Sequence, residues 1–484
     1  MFDPMYVNAY SIDQLADMIG AGEVTLEQVE QLGLAAPKRP PLRAELLRRK
    51  QLRLADEEMW TAACNRNTVP AFEVYVDTYD KYPPEYRGMH VADAKLKIGE
   101  LKEKHLQYKE TLFESMRREP WKFKHESMKI LMGGEVPSPE ELEALKKSGE
   151  DEVLVGFLES GLKITYQELL DNDIIPDSIS RQSLVEADYT LTQTNMDDLH
   201  YFPTDKRTDV YFIGVPRSGK SSVMAALCAA MHKKGWADYQ AHYNNDNADK
   251  VRDYYYSLIK STQKGKYPVS TQQDSLSFIK LMLKSKKKES PLTLVELGGE
   301  AFKSAFKTGK RGMDAWNGLA AGTCLESSNR KLLFFIIDYS ALCDQDKIGE
   351  QYEVLESMLN ILRSDGPTGN GYKGCTLSKV DTVAIIVTKS DMMDAELHEE
   401  RMTCAIDFIN ENFASFKKTL ISNCEEFGIN KPVGFKPYVV PFSVGKMYIG
   451  NTYEFDPTDA DALIEFISVV IAGNKTGFLG KIFG

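Results

Sequence analysis

A Gly-rich, basic turn, GVPRSGKS at residues 214–221, stands between an apolar run and a helical stretch and most constrains how this chain folds. It matches the pattern GxxxxGK[ST] at Gly214, Gly219, Lys220 and Ser221. Glycines let successive backbone N–H groups converge on a phosphate at the N-terminus of the following helix. The lysine of such a turn reaches the β- and γ-phosphates, and the serine hydroxyl coordinates Mg²⁺. The pattern therefore predicts a turn that binds the phosphates of a nucleotide; the alternative is a strand–helix turn without a ligand.

From residue 208 onward, apolar runs alternate with helical stretches. Several runs are almost continuously apolar, as in strands that are covered on both faces of a sheet. The predicted strands are 209–214, 276–283, 292–297, 331–338, 382–388 and 436–442, and the predicted helices are 222–234, 249–261, 347–363, 395–417 and 459–472. The connection between the second and third strands is too short for a crossover helix, so these two should pair antiparallel. The expected fold class is α/β, with a mostly parallel sheet, one antiparallel hairpin and an all-α N-terminal region.

Two motifs that follow predicted strands bear on which nucleotide is bound. In TKSD at residues 388–391, the carboxylate of Asp391 can accept hydrogen bonds from N1–H and the exocyclic amine of guanine, an arrangement that adenine does not offer. The aliphatic stem of Lys389 can lie over the purine ring. One strand later, FSVGK places Ser443 and Lys446 where a second base-contacting loop is expected. Together the two motifs favour guanine.

In these motifs and their order, the chain resembles the P-loop GTPases of the translation-factor and Ras-like class over residues 208–472. The resemblance implies that GVPRSGKS is the phosphate loop, with Ser218 and Ser222 among the nucleotide contacts. It also implies that TKSD, beginning at Thr388, is the guanine-specificity motif and that GTP or GDP binds with Mg²⁺. The TKxD spelling is closer to dynamin-type and other large GTPases, and the general layout is also similar to the bacterial double-GTPases.

ELGGE at residues 296–300 stands where this class carries DxxG. Glu296 replaces the aspartate, and its carboxylate can hold a magnesium-bound water with an altered reach. The N–H of Gly299 would contact the γ-phosphate, so that the next loop orders or releases with nucleotide state. Glu300 occupies the position of the water-orienting glutamine, where a carboxylate beside a polyanion is electrostatically unfavourable. The alternative is an ordinary strand end and turn.

Two more positions bear on hydrolysis. YPVSTQQD is expected to supply a switch hydroxyl, from Thr271 in preference to Ser270. Arg217 resembles the phosphate-loop arginine of guanylate-binding proteins and atlastin, which serves as an internal arginine finger upon dimerisation. Such fingers neutralise charge in the transition state and accelerate turnover by about 10³–10⁵; the alternative is a side chain that points to solvent or pairs with an acid. The predicted catalytic residues are Arg217, Lys220, Thr271 and Glu300, and the predicted metal ligands are Ser221, Thr271 and Glu296.

The first 190 residues are predicted to be helical and to engage a protein partner, as one module or as two, 1–54 and 55–190. Ser11 and Thr25 are expected to cap the first two helices. Within 55–105, an early tryptophan, small residues and a Tyr–Pro turn resemble one tetratricopeptide-like unit. The predicted order continues with a linker at 191–207, the P-loop GTPase domain at 208–473 and a C-terminal tail at 474–484.

Composition argues against several other classes of protein. The formal net charge of −12 does not favour binding to nucleic acid or to an acidic membrane surface, which would then require a local basic patch. No apolar run approaches the ~20 residues of a membrane helix, and the N-terminus lacks the pattern of a signal peptide. The seven cysteines are widely spaced without a CxxC pair, which favours reduced thiols in a cytoplasmic protein over a disulfide frame or a zinc site.

The sequence therefore predicts a guanine-nucleotide-binding switch that hydrolyses GTP slowly. Its N-terminal helices would engage a partner, and a nucleotide-dependent homodimer is a further expectation. A second hypothesis is a scaffold that binds GTP with little hydrolysis, motivated by Glu296 and Glu300. A P-loop kinase of nucleotides or small molecules is a weaker third, because an Arg-rich lid is not evident and TKSD would be unexplained.

Overall fold

A computed structural model describes residues 2–80, 88–133, 138–147, 152–159, 163–186, 205–241, 248–268, 276–285, 288–297, 324–325, 327–363, 376–395 and 397–472. The chain divides into two compact units. One comprises Met1–Ser115 and Glu135–Lys163, and the other comprises Met116–Gly134 and Ile164–Gly484. The second unit thus includes helical segments that the sequence prediction placed with the N-terminal region; the predicted boundaries stay a prediction.

The helices and strands of the described residues alternate only in the second half of the chain. The helices are α1 Ile12–Gly20, α2 Leu26–Gln31, α3 Arg39–Arg66, α4 Val69–Tyr79, α5 Val91–Arg118, α6 His125–Leu131, α7 Pro139–Lys147, α8 Glu152–Glu159, α9 Tyr166–Asp171, α10 Arg181–Val185, α11 Lys220–Lys234, α12 Ala248–Gln263, α13 Gln345–Arg363, α14 His398–Asn412, α15 Ala414–Phe427 and α16 Thr458–Ala472. The strands are β1 Thr208–Ile213, β2 Ala237–Tyr239, β3 Leu276–Ser285, β4 Lys288–Leu297, β5 Arg330–Asp338, β6 Val380–Thr388, β7 Tyr438–Phe442, β8 Gly445–Tyr448 and β9 Thr452–Phe455.

The first unit is helical throughout its described part. Ser11 and Thr25 cap α1 and α2 as predicted, because the hydroxyl of each accepts from the backbone N–H three residues later and a glutamine there bonds back. In the next hairpin, the ring of Trp60 on α3 lies 5.6 Å from that of Phe72 and 5.5 Å from that of Tyr75, both on α4. The Tyr–Pro turn that completes the resemblance to a tetratricopeptide-like unit lies outside the described residues.

The second unit is built on a seven-stranded sheet in the order β2-β3-β4-β1-β5-β6-β7. β1 pairs parallel with β4 and β5, and the pairs β5–β6 and β6–β7 are also parallel. β3 pairs antiparallel with both β2 and β4. The predicted α/β fold class with a mostly parallel sheet and an antiparallel hairpin is confirmed.

Both faces of the central strands are covered, which accounts for their continuous apolar sequence. Successive side chains of a strand point to opposite faces. Val210 and Phe212 of β1 join the core beneath α11 and α16, whereas Tyr211 and Ile213 join the core beneath α13 and α15. All four side chains are fully buried.

The predicted elements of this unit form with small shifts, and the structure adds others. Each predicted strand is observed, and the predicted helix 395–417 is replaced by two helices, α14 and α15, with Phe413 between them. Not foreseen were the three-residue edge strand β2 and the β8–β9 hairpin, which forms a sheet of its own. Among the residues that the structure describes, no helix combines the length and apolar character needed to cross a membrane.

Candidate nucleotide-binding site

The phosphate turn between β1 and α11 has a backbone that depends on its glycines. A Cβ at Gly214 would lie 2.5 Å from the carbonyl oxygen of Ile336, so only glycine fits there. Gly219 has φ +93 and packs against Thr388. Arg217 also adopts a positive φ of 64, a region that few residues other than glycine occupy. The chain therefore bends sharply into α11, whose first backbone N–H groups have no acceptor within the helix.

Lys220 and Ser218 hold the turn from inside. The buried ammonium of Lys220 donates to the carbonyl oxygens of Gly214 at 3.0 Å and Val215 at 2.8 Å. The Ser218 hydroxyl donates to the Val215 oxygen at 2.9 Å. The Lys220 charge therefore lies within the curve of the turn, where a phosphate bound by the turn would meet it.

Ser221 and Glu296 place a hydroxyl oxygen and a carboxylate next to each other beside this turn. The fully buried Glu296, at the end of β4, accepts hydrogen bonds from the Ser221 hydroxyl and, at 2.9 Å, from the Tyr254 hydroxyl of α12. Burial and the neighbouring carboxylate hold the pKa of Tyr254 well above its ordinary value, so this phenol remains a donor. Mg²⁺ prefers oxygen ligands and usually takes only one or two carboxylates, with water and phosphate oxygens completing its shell. The two residues therefore fit this cation.

The TKSD motif lies at the end of β6. The Thr388 hydroxyl donates to the carbonyl oxygen of Ser218 at 2.7 Å and so ties this strand end to the phosphate turn. Lys389 has φ 58, and its ammonium lies 2.6 Å from a carboxylate oxygen of Asp338. Asp391 is accessible to solvent and accepts from the Ser443 hydroxyl at 2.9 Å. The surrounding protein nevertheless desolvates Asp391 and raises the pKa of its carboxyl group.

A buried ion pair supports the loops after β6 and β7 from behind. Arg401 on α14 donates to the two carboxylate oxygens of Asp459 on α16, at 2.9 and 3.1 Å. Asp459 also accepts from the Ser443 backbone N–H at 2.8 Å, and Arg401 reaches the Ser390 hydroxyl at 3.1 Å. The pair thus connects the loop after β6 with the loop after β7.

One cavity of about 950 Å³ adjoins both motifs. The predicted residues that line it are Arg217, Gly219, Lys220, Ser221, Ser222, Thr388, Lys389 and Asp391. Four others are hydrogen-bonded to these lining residues from behind, namely Gly214, Ser218, Glu296 and Ser443. With the exception of Lys446, the predicted site residues that are described therefore converge, because the carboxyl ends of β1, β4, β5, β6 and β7 meet at one edge of the sheet.

Several predicted residues are not part of this arrangement as described. Lys446 is exposed, and its ammonium lies 5.4 Å from the centre of the Tyr448 ring. Thr271 and its alternative Ser270 lie outside the described residues, as do Gly299 and Glu300. Their roles stay predictions.

The cavity also has walls that sequence reasoning missed. They include Trp121, Lys122 and Lys124, which precede the sheet by more than eighty residues, and Tyr267, Met447 and Asn451. A pattern that is local in sequence cannot reveal such contacts, because they depend on how distant segments pack. The Tyr254 hydrogen bond to Glu296 was missed for the same reason.

Comparison with known proteins adds little to this geometry. No protein-family model matches the chain, and no curated protein matches it. Among solved structures, the Methanosarcina barkeri Roco2 RocCORdC protein bound to GDP matches at 13% identity with a TM-score of 0.24. The match covers 56% of this chain and 50% of that chain. At this TM-score the similarity carries no argument, so the site is interpreted from its own residues.

Proposed function

We propose that the chain binds guanine nucleotide with Mg²⁺ in this cavity and acts as a switch that hydrolyses GTP slowly to GDP and phosphate. The observation that carries the proposal is that the phosphate turn and the Asp391 carboxylate line the same cavity. Its volume of about 950 Å³ is within the range of pockets that take small ligands and cofactors. The Gly-rich turn can bind the phosphates of a nucleotide and the Asp391 carboxylate can bind its base, and the two lie at one edge of the sheet.

The negative charge of the phosphates would be offset by Lys220 and by a bound Mg²⁺. Lys220 can exchange its two backbone carbonyl contacts for phosphate oxygens with little movement, because its ammonium already lies within the turn. Ser221 and Glu296 would hold Mg²⁺, which offsets phosphate charge when it is bound. Their hydrogen bond to each other would be given up in exchange.

The base end would be read by Asp391. Its carboxylate is accessible from the cavity and is oriented by the Ser443 hydroxyl. A guanine edge presents two donors to one carboxylate, whereas adenine does not, and an acceptor that the bound base removes from water without donating to it is costly. The expected preference is therefore for guanine nucleotides over adenine nucleotides.

Hydrolysis would depend on Arg217, with Lys220, Thr271 and Glu300 as the other proposed catalytic residues. Arg217 is exposed and lines the cavity, so its guanidinium can reach a bound phosphate of its own chain or act in a nucleotide-dependent homodimer. The alternative function is a scaffold that binds GTP and scarcely hydrolyses it. It is favoured by Glu296, because both carboxylate oxygens are already engaged by Ser221 and Tyr254. Partner binding by residues 1–190 stays a prediction.

Calorimetric titration of the full chain with GDP, GTP, ADP and ATP in Mg²⁺ tests the nucleotide assignment. We expect guanine nucleotides to bind, and adenine nucleotides to bind at least a hundredfold more weakly. Asp391→Asn should remove this preference, whereas Asp394→Asn, an exposed carboxylate in the same loop, should retain it. Equal affinity of the wild-type chain for GTP and ATP would overturn the assignment.

Phosphate release measured against protein concentration tests turnover and separates the two functions. Arg217→Ala is a clean probe, because arginine and alanine meet the same backbone restriction at a positive φ, so the change isolates the guanidinium. Specific activity that rises with concentration and falls at least tenfold in the variant supports a dimerisation-activated GTPase. Tight GTP binding with equally negligible turnover in both proteins supports the scaffold.

A further inference from the structure

One wall of the cavity comes from the chain that precedes the sheet. A short 3₁₀ turn, Pro120–Lys122, follows the end of α5 and places Trp121 and Lys122 on the cavity, together with Lys124. Trp121 keeps 41% of its surface exposed, which is unusual for so large an apolar side chain. An exposed aromatic face is the kind of surface on which a nucleobase stacks.

This turn is anchored on the same compact unit as the site. Phe123 is fully buried, and its carbonyl oxygen accepts from the Gly450 backbone N–H at 2.6 Å. Gly450 has φ +69, and a Cβ there would lie 2.7 Å from the Leu184 carbonyl oxygen. The buried ammonium of Lys266 donates to the carbonyl oxygens of Glu186 and Gly450, both at 2.9 Å. Trp121 therefore stands two residues from a fixed anchor.

The packing places Trp121 on the side of the cavity that reads the base. The 3₁₀ turn contacts β8, and β8 in turn contacts the short turn Ser390–Met392, which carries Asp391. Met447 of β8 also lines the cavity. The turns that carry Trp121 and Asp391 therefore pack against the same strand.

We propose that Trp121 contacts the base or ribose of the bound purine nucleotide, so that nucleotide binding is sensed by the segment that leads out of α5. The proposal rests on the proposed function, because it assumes a nucleotide in this cavity. Lys122 and Lys124 lie on the same wall, where Lys122 pairs with Glu119, also a lining residue, at 3.0 Å, so the proposal depends on the indole and not on charge. Because Glu119 directly follows the last residue of α5, a nucleotide that packs on Trp121 contacts the chain just beyond the end of that helix.

Energy transfer from tryptophan to mant-GDP, a fluorescent GDP, tests the contact in the full chain. We expect strong sensitised emission in the wild-type protein and in Trp236→Phe, a half-buried tryptophan that does not line the cavity. Trp121→Phe should lose most of this emission while keeping its affinity for GDP within about threefold, because the aromatic face is retained. Trp121→Ala should weaken GDP binding by roughly tenfold, the lower part of the range for loss of a base-stacking side chain.

The outcomes separate this inference from the function on which it rests. GDP binding with unchanged emission in Trp121→Phe and unchanged affinity in Trp121→Ala would overturn the inference alone. Absence of guanine-nucleotide binding to the wild-type chain would overturn both. Circular dichroism of Trp121→Ala controls for folding, and Trp121→Phe decides the contact should the alanine variant fail to fold.

Discussion

Asp459→Asn tests whether the buried ion pair between Arg401 and Asp459 stabilises the loops after β6 and β7 more than an ordinary surface ion pair would. The Asp459 side chain is 3% exposed, accepts two hydrogen bonds from Arg401 and accepts a third from the Ser443 backbone N–H. The amide of an asparagine keeps the shape but removes the charge and half of the acceptor capacity. It leaves the Arg401 guanidinium, whose side chain is 15% exposed, without its counterion.

The magnitude follows from this burial. Removing one partner of a buried ion pair costs about 3–5 kcal/mol in the free energy of unfolding. Because Arg401 retains some contact with solvent, we expect the lower end, about 3 kcal/mol. The matched control is Asp461→Asn, two residues along the same helix, which pairs with Lys234 at side-chain exposures of 23% and 37%. Such a partly exposed pair is closer to surface ion pairs, which contribute about 0–1 kcal/mol, and both carboxylates lie in the first turn of α16, so the helix dipole affects them alike.

Urea unfolding monitored by circular dichroism measures the difference. We expect the midpoint of the sheet-containing unit to fall much further in Asp459→Asn than in Asp461→Asn, with an unchanged m value. A second measurement, the affinity for GDP, should fall at least tenfold only in Asp459→Asn, because Ser443 orients Asp391. Equal loss of stability in the two variants would refute the reasoning, since burial would then not decide the strength of the pair.

The remaining predictions concern the far end of the sheet and the phosphate turn. Burial raises the pKa of Asp209 to about 6, above its ordinary value near 4. The folded state therefore holds this proton more tightly, and the stabilisation it gives is present below the ordinary value and is lost as pH rises through about 6. Asp209→Asn should abolish this loss of stability between the ordinary pKa and about pH 6, as measured by urea unfolding. Gly214→Ala should lower the free energy of unfolding by about 1–3 kcal/mol, because the added methyl meets Ile336. Gly349→Ala, within α13 and with no atom near the added methyl, should leave it unchanged or raise it by up to about 1 kcal/mol. Equal effects of the two substitutions would contradict the packing argument.

Much of the sheet was predictable because its physical cause is local. A strand covered on both faces is apolar at most positions, so β1, β5 and β6 stand out by the apolar stretches 210–213, 332–337 and 383–387. The short connection between β3 and β4 requires an antiparallel pair. The convergence of the phosphate turn and Asp391 also follows from sequence, since carboxyl ends of parallel strands share one edge.

What escaped prediction depends on contacts between distant segments. β2 has only three residues, and the hairpin of β8 and β9 has two four-residue strands, too short for a periodic pattern to stand out. Trp121 carries no local mark of a ligand contact, because its place on the cavity depends on Phe123 packing against a segment beyond residue 440. The break at Phe413 within the expected long helix was missed because the residues on both sides favour helix.

Glu296 shows how an irregular motif can depend on a distant helix. In the sequence, glutamate stands where the resembled class carries aspartate. In the structure, α12 brings the fully buried Tyr254 hydroxyl to one oxygen of Glu296, while Ser221 donates to the other. A buried carboxylate oxygen without a donor would be costly, so the tyrosine compensates for the burial of this acid. α12 therefore helps to set the position of Glu296 beside the phosphate turn.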